Sequence, residues 1–574
     1  MPAPAALRRF APAAACAFLL FWGLGRPALW QDEAETALLG QSVARHGLPL
    51  VRLDGRLISG QPSLASYESN DQGVWIWNTW LPYYAAAASF KVFGVGTWAA
   101  RAPFAFFAFL AFLLAGSFFD ALAEPGAAEI AKWLLALNVP WLLFMRQCRY
   151  YSLACFGLLA ALYSYRLILK GKRLGPAALA ASLTFLFHSF FVMGPIVIAA
   201  LGIEASHRRG KSGFQRRFWS AAAAAAALAL PFAWYFRVWT RPGNHMYPVS
   251  ESAQFLRTFL LWLMQFSAAW PLLALALARR RGLRIKILVL AGYAALAVMI
   301  SLEGDFQIGS LLFLGFFAGL AWEGGPPAEE ISSRSVFLLC ALSLLVFSLT
   351  GAEPYGRYLA PILPFFCLAT AAAIEKLAGP RRRLAAFLAI LCATTNIFSV
   401  LPIKVGAVIA PQSARESVSG MMRSRLRQVP LRSDLFSFIG EIGRGARGYV
   451  EELCGILNRL GLPGQRAFSP ADNLSLMFYT GLNFMTPAEF AGSRPEWIIP
   501  SPWLELDQAS KERALKLVEG GLYEKIEFDA PRILWQNNPD ILYHVFNPRN
   551  GAQALFRLAE EGTARISAST SGDR

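Results

Sequence analysis

The chain has 574 residues, of which 55% are hydrophobic, 13% aromatic and only 16% charged, against roughly 25% charged in soluble proteins. That length exceeds one ordinary domain, and that composition excludes a wholly soluble one. The net charge of +17 would suit nucleic acid, but its distribution argues against that partner, because Lys and Arg sit in short loops between apolar runs, at residues 8–9, 170–173, 208–217, 279–286 and 381–383; this is the positive-inside pattern of a polytopic membrane protein.

From residue 10 to residue 402, apolar runs near 20 residues follow one another, the length that crosses a hydrocarbon core. The first (residues 10–25) follows Arg8-Arg9 and lacks a small-residue cleavage site before Trp30, so it reads as an uncleaved span. With the N-terminus inside, residues 26–80 form a first outer loop. A span over 101–122 returns inward, and one over 131–145 leads out to Arg146-Gln147-Cys148-Arg149-Tyr150-Tyr151. The next reaches the basic loop 170–173. Residues 176–203 have basic flanks on both sides and suit two short spans that turn near His188. Continued parity places 243–247, Glu303-Gly304-Asp305 and 353–358 outside, 279–286, 323–334 and 381–383 inside, and a last span over 384–401 exports the tail. That makes an α-helical polytopic membrane domain of about 13 spans over residues 1–402.

Residues 403–574 are predicted to form a small α/β domain on the outer side, with a helix at 448–460, strands at 495–500 and 541–546, and a polar, frayed tail after Gly551. Seven cysteines without a CxxC pair and five scattered histidines give neither a disulfide framework nor a zinc-ligand spacing. No cofactor is evident, and metal dependence is left open.

Polar clusters on the outer side carry the chemistry. Trp30-Gln31-Asp32-Glu33-Ala34-Glu35-Thr36 follows the first span. One reading makes Asp32 an N-cap and a Glu its capping-box partner at a positive helix end. The other places Asp32, Glu35 and Thr36 on one helix face, by i, i+3, i+4 spacing, where a partly desolvated carboxylate accepts a proton from a hydroxyl. Arg146, Arg149, Tyr150 and Tyr151 at one span end, and Arg357 and Tyr358 at another, suit headgroup snorkelling and the aromatic belt. They equally suit phosphate recognition, since guanidinium matches phosphate oxygens and outer arginines run against the positive-inside bias. His188 is a satisfied polar residue or a phosphate contact. Glu68, Asp71 and Trp80, with Trp75 and Trp77, suit either a sugar or a membrane interface.

Trp30-Gln-Asp-Glu-Ala-Glu-Thr-Ala-Leu-Leu-Gly40, Trp80-Leu-Pro-Tyr-Tyr84, Ser89-Phe-Lys-Val-Phe-Gly94, Arg101-Ala-Pro-Phe104, Arg149-Tyr-Tyr-Ser-Leu153 and Arg357-Tyr-Leu-Ala-Pro-Ile-Leu-Pro364 resemble, in order, the GT-C membrane glycosyltransferases. The resemblance is to the protein O-mannosyltransferase-like and lipid A aminoarabinose transferase group. It implies a GT-C fold in a bacterial inner membrane, a polyprenyl-phosphate sugar as donor, and inverting transfer to an acceptor lipid, glycan or protein on the periplasmic face. The family's acidic pair falls on Asp32 and Glu33, with Asp32 the expected base. Arg149, Tyr150, His188, Arg357 and Tyr358 would hold the donor phosphate, and Glu35, Glu68, Asp71 and Trp80 the acceptor or sugar. Where family patterns carry a Glu before the Arg-Tyr-Tyr-Ser-Leu run, this chain has Gln147. A flippase or transporter of lipid-linked sugars is the rival; it would be expected to carry charge along a path inside the spans.

Overall fold

Proline, glycine and charged pairs interrupt the apolar runs, and the helices of a computed structural model break at them. The structure describes residues 5–59, 65–208, 212–239, 248–267, 330–350, 355–398, 431–444, 447–469, 473–500, 508–530 and 551–559. The helices in chain order are α1 (Ala5–Phe21), α2 (Gln31–His46), α3 (Leu81–Phe93), α4 (Thr97–Leu122), α5 (Pro125–Ala136), α6 (Val139–Arg146), α7 (Tyr151–Leu169), α8 (Gly175–Ser189), α9 (Met193–His207), α10 (Ser212–Tyr235), α11 (Val249–Ser267), α12 (Ser333–Thr350), α13 (Leu363–Ala378) and α14 (Arg382–Thr394). A 3-10 stretch, Gly356–Ile362, leads into α13.

Among the described residues five helical stretches are long and apolar enough to cross a membrane: α4, α7, Gly213–Tyr235, α12 and Gly356–Ala378. The expected span over 131–145 is broken instead. α5 and α6 form a pair bent by 56°, because Asn138 caps α6 by accepting the Trp141 N–H at 2.8 Å and Pro140 follows it; proline offers no N–H to continue the ladder. Where two short spans were expected over 176–203 there are two helices, α8 and α9, which turn at residues 190–192; each has 15 residues and neither is among the helices long enough to cross. The expectations for 243–247, 279–286 and Glu303-Gly304-Asp305 fall outside the described residues.

The two ends of α7 carry opposite polar clusters. At 19 residues and about 1.5 Å per residue, α7 spans about 28 Å, close to a hydrocarbon thickness of about 30 Å. At its C-terminal end Arg166 and Lys170 hold the Glu330 carboxylate at 2.5 and 2.9 Å. There Arg208 also bonds Glu204 and the Glu330 carbonyl, both at 2.6 Å. Three loops that the charge pattern assigns to one side therefore meet at one place. Arg149 lies at the other end.

The C-terminal residues add α15 (Asp434–Arg444), α16 (Tyr449–Leu460), β1 (Arg466–Phe468), α17 (Asn473–Thr480), β2 (Asn483–Phe484), α18 (Pro487–Gly492), β3 (Trp497–Ile498), α19 (Gln508–Glu519), β4 (Tyr523–Ala530) and β5 (Gly551–Leu558). The sheet order is β2-β1-β3-β5-β4, parallel over its first three strands and antiparallel at β5. The helix expected at 448–460 and the strand within 495–500 are there as α16 and β3. A strand at 541–546 lies outside the described residues. The frayed tail after Gly551 is corrected: residues 551–558 are a sheet strand between β3 and β4, with Leu555 fully buried. Its alternation is too brief to stand out from a polar tail in the sequence, and two neighbouring strands supply the order.

Buried side chains form two cores. One runs through α1, α4 to α9, α12 and α13, and takes in Leu435, Phe438 and Ile442 of α15. The other is shared: Leu29, Ala34, Leu38 and Leu39 around α2, Tyr83 and Phe90 of α3, and Leu453, Leu474, Met477 and Trp497 of the C-terminal unit pack in one cluster. Gly40 lets α2 approach α3, since a Cβ there would meet the Ala86 Cβ at 2.8 Å.

Candidate active site

Helix α2 begins with Trp30 as the extended N-cap residue, and Glu33 Oε2 accepts the Trp30 N–H at 3.4 Å. Asp32 is therefore not the cap expected for it. It is the second helical residue, and the cap duty falls on Glu33. Helical neighbours point about 100° apart, so residues 32 and 33 face different surroundings.

Glu33 faces inward and is fully buried. Arg101 Nε and Nη2 donate to its two carboxylate oxygens at 2.8 and 2.6 Å, and the Cys148 N–H adds a bond at 2.8 Å. The rest of the Arg101 guanidinium reaches the carbonyls of Leu24 (3.2 Å), Arg26 (3.4 Å), Pro27 (2.7 Å) and Ala28 (3.2 Å). One buried arginine thus ties the start of the first outer loop to the start of α2 and, through Glu33, to the α6–α7 junction. Arg146 anchors the same region from below, donating to the carbonyls of Leu19 and Trp22 at 2.7 and 2.9 Å. These last carbonyls of a helix lack intrahelical partners.

Asp32 faces Arg149 and Arg357. Its Oδ2 lies 3.0 Å from Arg357 Nη1 and 3.5 Å from Arg149 Nη2. Arg149 Nη1 also donates to the Asp32 carbonyl (3.0 Å), Glu35 Oε1 (2.8 Å) and Thr36 Oγ1 (3.1 Å), so the i, i+3, i+4 face is read by one guanidinium. Burial raises the Glu35 pKa above the usual carboxylate value, with Arg149 opposing that shift. Burial alone would lower the Arg149 pKa, but Asp32 and Glu35 hold it well above its ordinary value. The Arg357 guanidinium stacks 4.0 Å from the Tyr355 ring centroid, 5.5 Å from Trp30 and 5.9 Å from Tyr358. Tyr150 and Tyr358 each stack on Phe190, at 4.8 and 6.1 Å, as an aromatic cluster beside the cations.

This cluster is not saturated. Arg149 Nε, Tyr151 Oη and Trp30 Nε1 are buried without a hydrogen-bond partner. Buried donors are nearly always satisfied, and these three, beside one carboxylate–guanidinium group, can meet acceptor oxygens of a ligand. Among the described residues no three His, Cys, Asp or Glu side chains converge as metal ligands.

The structure brings Asp32, Glu35, Arg149, Tyr150, Arg357 and Tyr358 together and sets the other expected residues apart from them. Glu33 is held by Arg101. Glu68 is buried and accepts from Ser59 Oγ at 2.5 Å. Asp71 is exposed on a turn. Trp80 donates to the Trp75 carbonyl at 2.8 Å and packs on Tyr235 and Phe236. His188 lies edge-on to Phe232 at 4.7 Å and Phe187 at 5.2 Å. Sequence reasoning gave no role to Trp30 or Tyr355, met Tyr151 only as a member of the span-end cluster, and met Arg101 only as part of a motif. An arginine inside an apolar span was the available signal for Arg101.

The fold is similar to that of solved membrane glycosyltransferases of the GT-C type. ArnT from Cupriavidus metallidurans bound to undecaprenyl phosphate superposes with a TM-score of 0.53 at 12% identity, over 97% of this chain and 99% of that one. The same protein in its apo state gives 0.51 at 12% identity over 96% and 98%. The oligosaccharyltransferase AglB from Archaeoglobus fulgidus, in complex with an inhibitory peptide and a dolichol-phosphate, is more distant: TM-score 0.44 at 11% identity, over 93% and 76%. At these identities the likeness is one of fold. No protein-family model and no curated protein sequence matches the chain.

Proposed function

We propose that the protein is a membrane glycosyltransferase that moves a sugar from a polyprenyl-phosphate donor to an acceptor hydroxyl. The site is assigned to the periplasmic face of a bacterial inner membrane, as the basic-loop pattern asks. The observation that carries this reading is the convergence of Arg149 and Arg357 on the part-exposed Asp32, ringed by the three unpartnered buried donors. A fold shared with a protein that binds undecaprenyl phosphate supports it.

In this reading the donor phosphate enters between Arg149 and Arg357. Its charge takes over the ion pairs that the Asp32 carboxylate makes with them, which frees the carboxylate. The acceptor oxygen attacks the anomeric carbon while the bond from that carbon to the phosphate oxygen breaks. The electron pair leaves with the phosphate, whose growing charge the two guanidinium groups stabilise. The acceptor proton passes to Asp32 as general base, with Glu35 and Arg149 holding its helix face. A single displacement inverts the anomeric carbon. Apolar span surfaces and the Tyr150–Phe190–Tyr358 cluster would carry the polyprenyl chain.

Purified protein incubated with a panel of undecaprenyl-phosphate sugars and hydroxyl acceptors tests this. The expected product has the opposite anomeric configuration to the donor, and Arg357→Ala abolishes its formation. Movement of the lipid-linked sugar across vesicles without any transfer would replace this reading with the transporter one.

A further inference from the structure

The C-terminal sheet unit touches the chain immediately before Asp32 at several points. Glu451 Oε1 accepts the Ala28 N–H at 2.5 Å while its Oε2 accepts that of Gly448 at 2.9 Å. Tyr479 Oη accepts the Leu29 N–H at 2.9 Å and bonds Thr97 Oγ1 at 2.7 Å. Gln31 is held from both ends of its amide: Nε2 donates to Asn473 Oδ1, and Oε1 accepts the Leu474 N–H at 3.1 Å. Arg56 donates to the Met477 carbonyl at 3.3 Å. These contacts join residues more than 380 apart in sequence. Behind them lies the shared core in which Leu474, Leu476 and Met477 of α17 pack with Leu29, Ala34 and Leu38.

Gln31 opens α2, and its Cα lies about 3.8 Å from that of Asp32. The side-chain amide is thus anchored to the N-terminus of α17, while the next residue presents its carboxylate to Arg357 and its carbonyl to Arg149. α17 in turn follows strand β1 of the parallel part of the sheet. No other side chain couples the first turn of α2 to the C-terminal unit with a donor and an acceptor at once among the described residues.

We infer that the C-terminal unit is a working part of the transfer site, and that Gln31, through Asn473 and Leu474, is the positioning residue that holds Asp32 in its ion pair with Arg357. The inference rests on the reading of Arg149 and Arg357 as the phosphate site. It has an unusual sign. Asp32 and a donor phosphate compete for Arg357, so loosening Asp32 tightens phosphate binding while spoiling the base. A residue that merely stabilised the fold would weaken binding when removed.

The test titrates detergent-solubilised full-length protein with undecaprenyl phosphate, scored per folded molecule. Asp32→Asn is expected to raise affinity about tenfold, the scale of a hydrogen bond to a charged group. Gln31→Ala and Asn473→Ala are expected to raise it about threefold each, with no further rise when Gln31→Ala is added to Asp32→Asn, as non-additivity requires of groups acting through one another. Asn473→Asp keeps an acceptor for Gln31 Nε2 and stays at the wild-type value. Unchanged or lowered affinity in Gln31→Ala, or a further rise in the Asp32→Asn background, overturns the positioning role. Arg357→Ala separates the two levels: wild-type affinity there removes the phosphate reading itself, and the positioning role with it.

Discussion

Residues 32 and 33 are adjacent carboxylates, each paired with arginine, in opposite states of completion. The Glu33 side chain is 0% exposed and that of its partner Arg101 6%; carboxylate, guanidinium and the surrounding carbonyls satisfy one another. Asp32 keeps 22% of its side chain exposed and Arg357 19%, and the donors around them remain partly unused. A closed ion pair has no capacity left for a substrate, and its desolvation has been offset only by its own geometry. An open one can exchange partners. The contrast separates scaffold from site more sharply than charge or position in the sequence does.

The most severe way to break the contrast is to neutralise each acid in turn. Asp32→Asn is expected to fold as the wild type does and to lose about 100- to 10,000-fold in transfer rate, the range for a positioned general base. Single-turnover assays with the donor that supports wild-type transfer would measure it. Normal transfer by a folded Asp32→Asn protein would hand the base role to another group.

On the scaffold side the effect is expected in stability. Arg101→Ala leaves Glu33 buried and uncompensated, at a cost of about 3–5 kcal/mol, read as a large fall in thermal midpoint in detergent. The double variant Arg101→Met with Glu33→Gln should recover much of that loss, because removing both charges is far less costly than orphaning one. If Arg101→Ala melted like the wild type, Glu33 would not be the closed partner that its geometry indicates.

Much of the helical frame was legible because span length and basic loops are local, repetitive signals. α4, α7 and the α8–α9 turn lie where hydropathy and charge place them, whereas the α5–α6 break needed Asn138 and Pro140 to be weighed against an unbroken apolar run. The acidic run after the first span was visible, and helical spacing grouped Asp32, Glu35 and Thr36. The division of labour between Asp32 and Glu33 was not visible. It depends on Arg101, 68 residues on, and on the Cys148 N–H, 115 residues on. The anchoring of Gln31 by Asn473 crosses 442 residues and leaves no local trace at all. Residues 551–558 read as a tail because a strand between two partners needs little signal of its own.

Glu35 offers the finest distinction, since it shares Arg149 with Asp32 but is more deeply buried, at 10% side-chain exposure. Burial raises its pKa despite Arg149, so the folded protein binds this proton more tightly than the unfolded chain does. A raised carboxyl contributes stability that is present at low pH and lost as pH rises through the folded-state pKa. Wild type should therefore gain stability relative to Glu35→Gln as pH falls from neutral to about 5, near the upper edge of ordinary carboxylate titration. Melting curves of the two proteins at matched pH would show the gap moving in favour of the wild type. Movement the other way would mean that Arg149 outweighs burial, and that Glu35 belongs with Glu33 among the closed pairs.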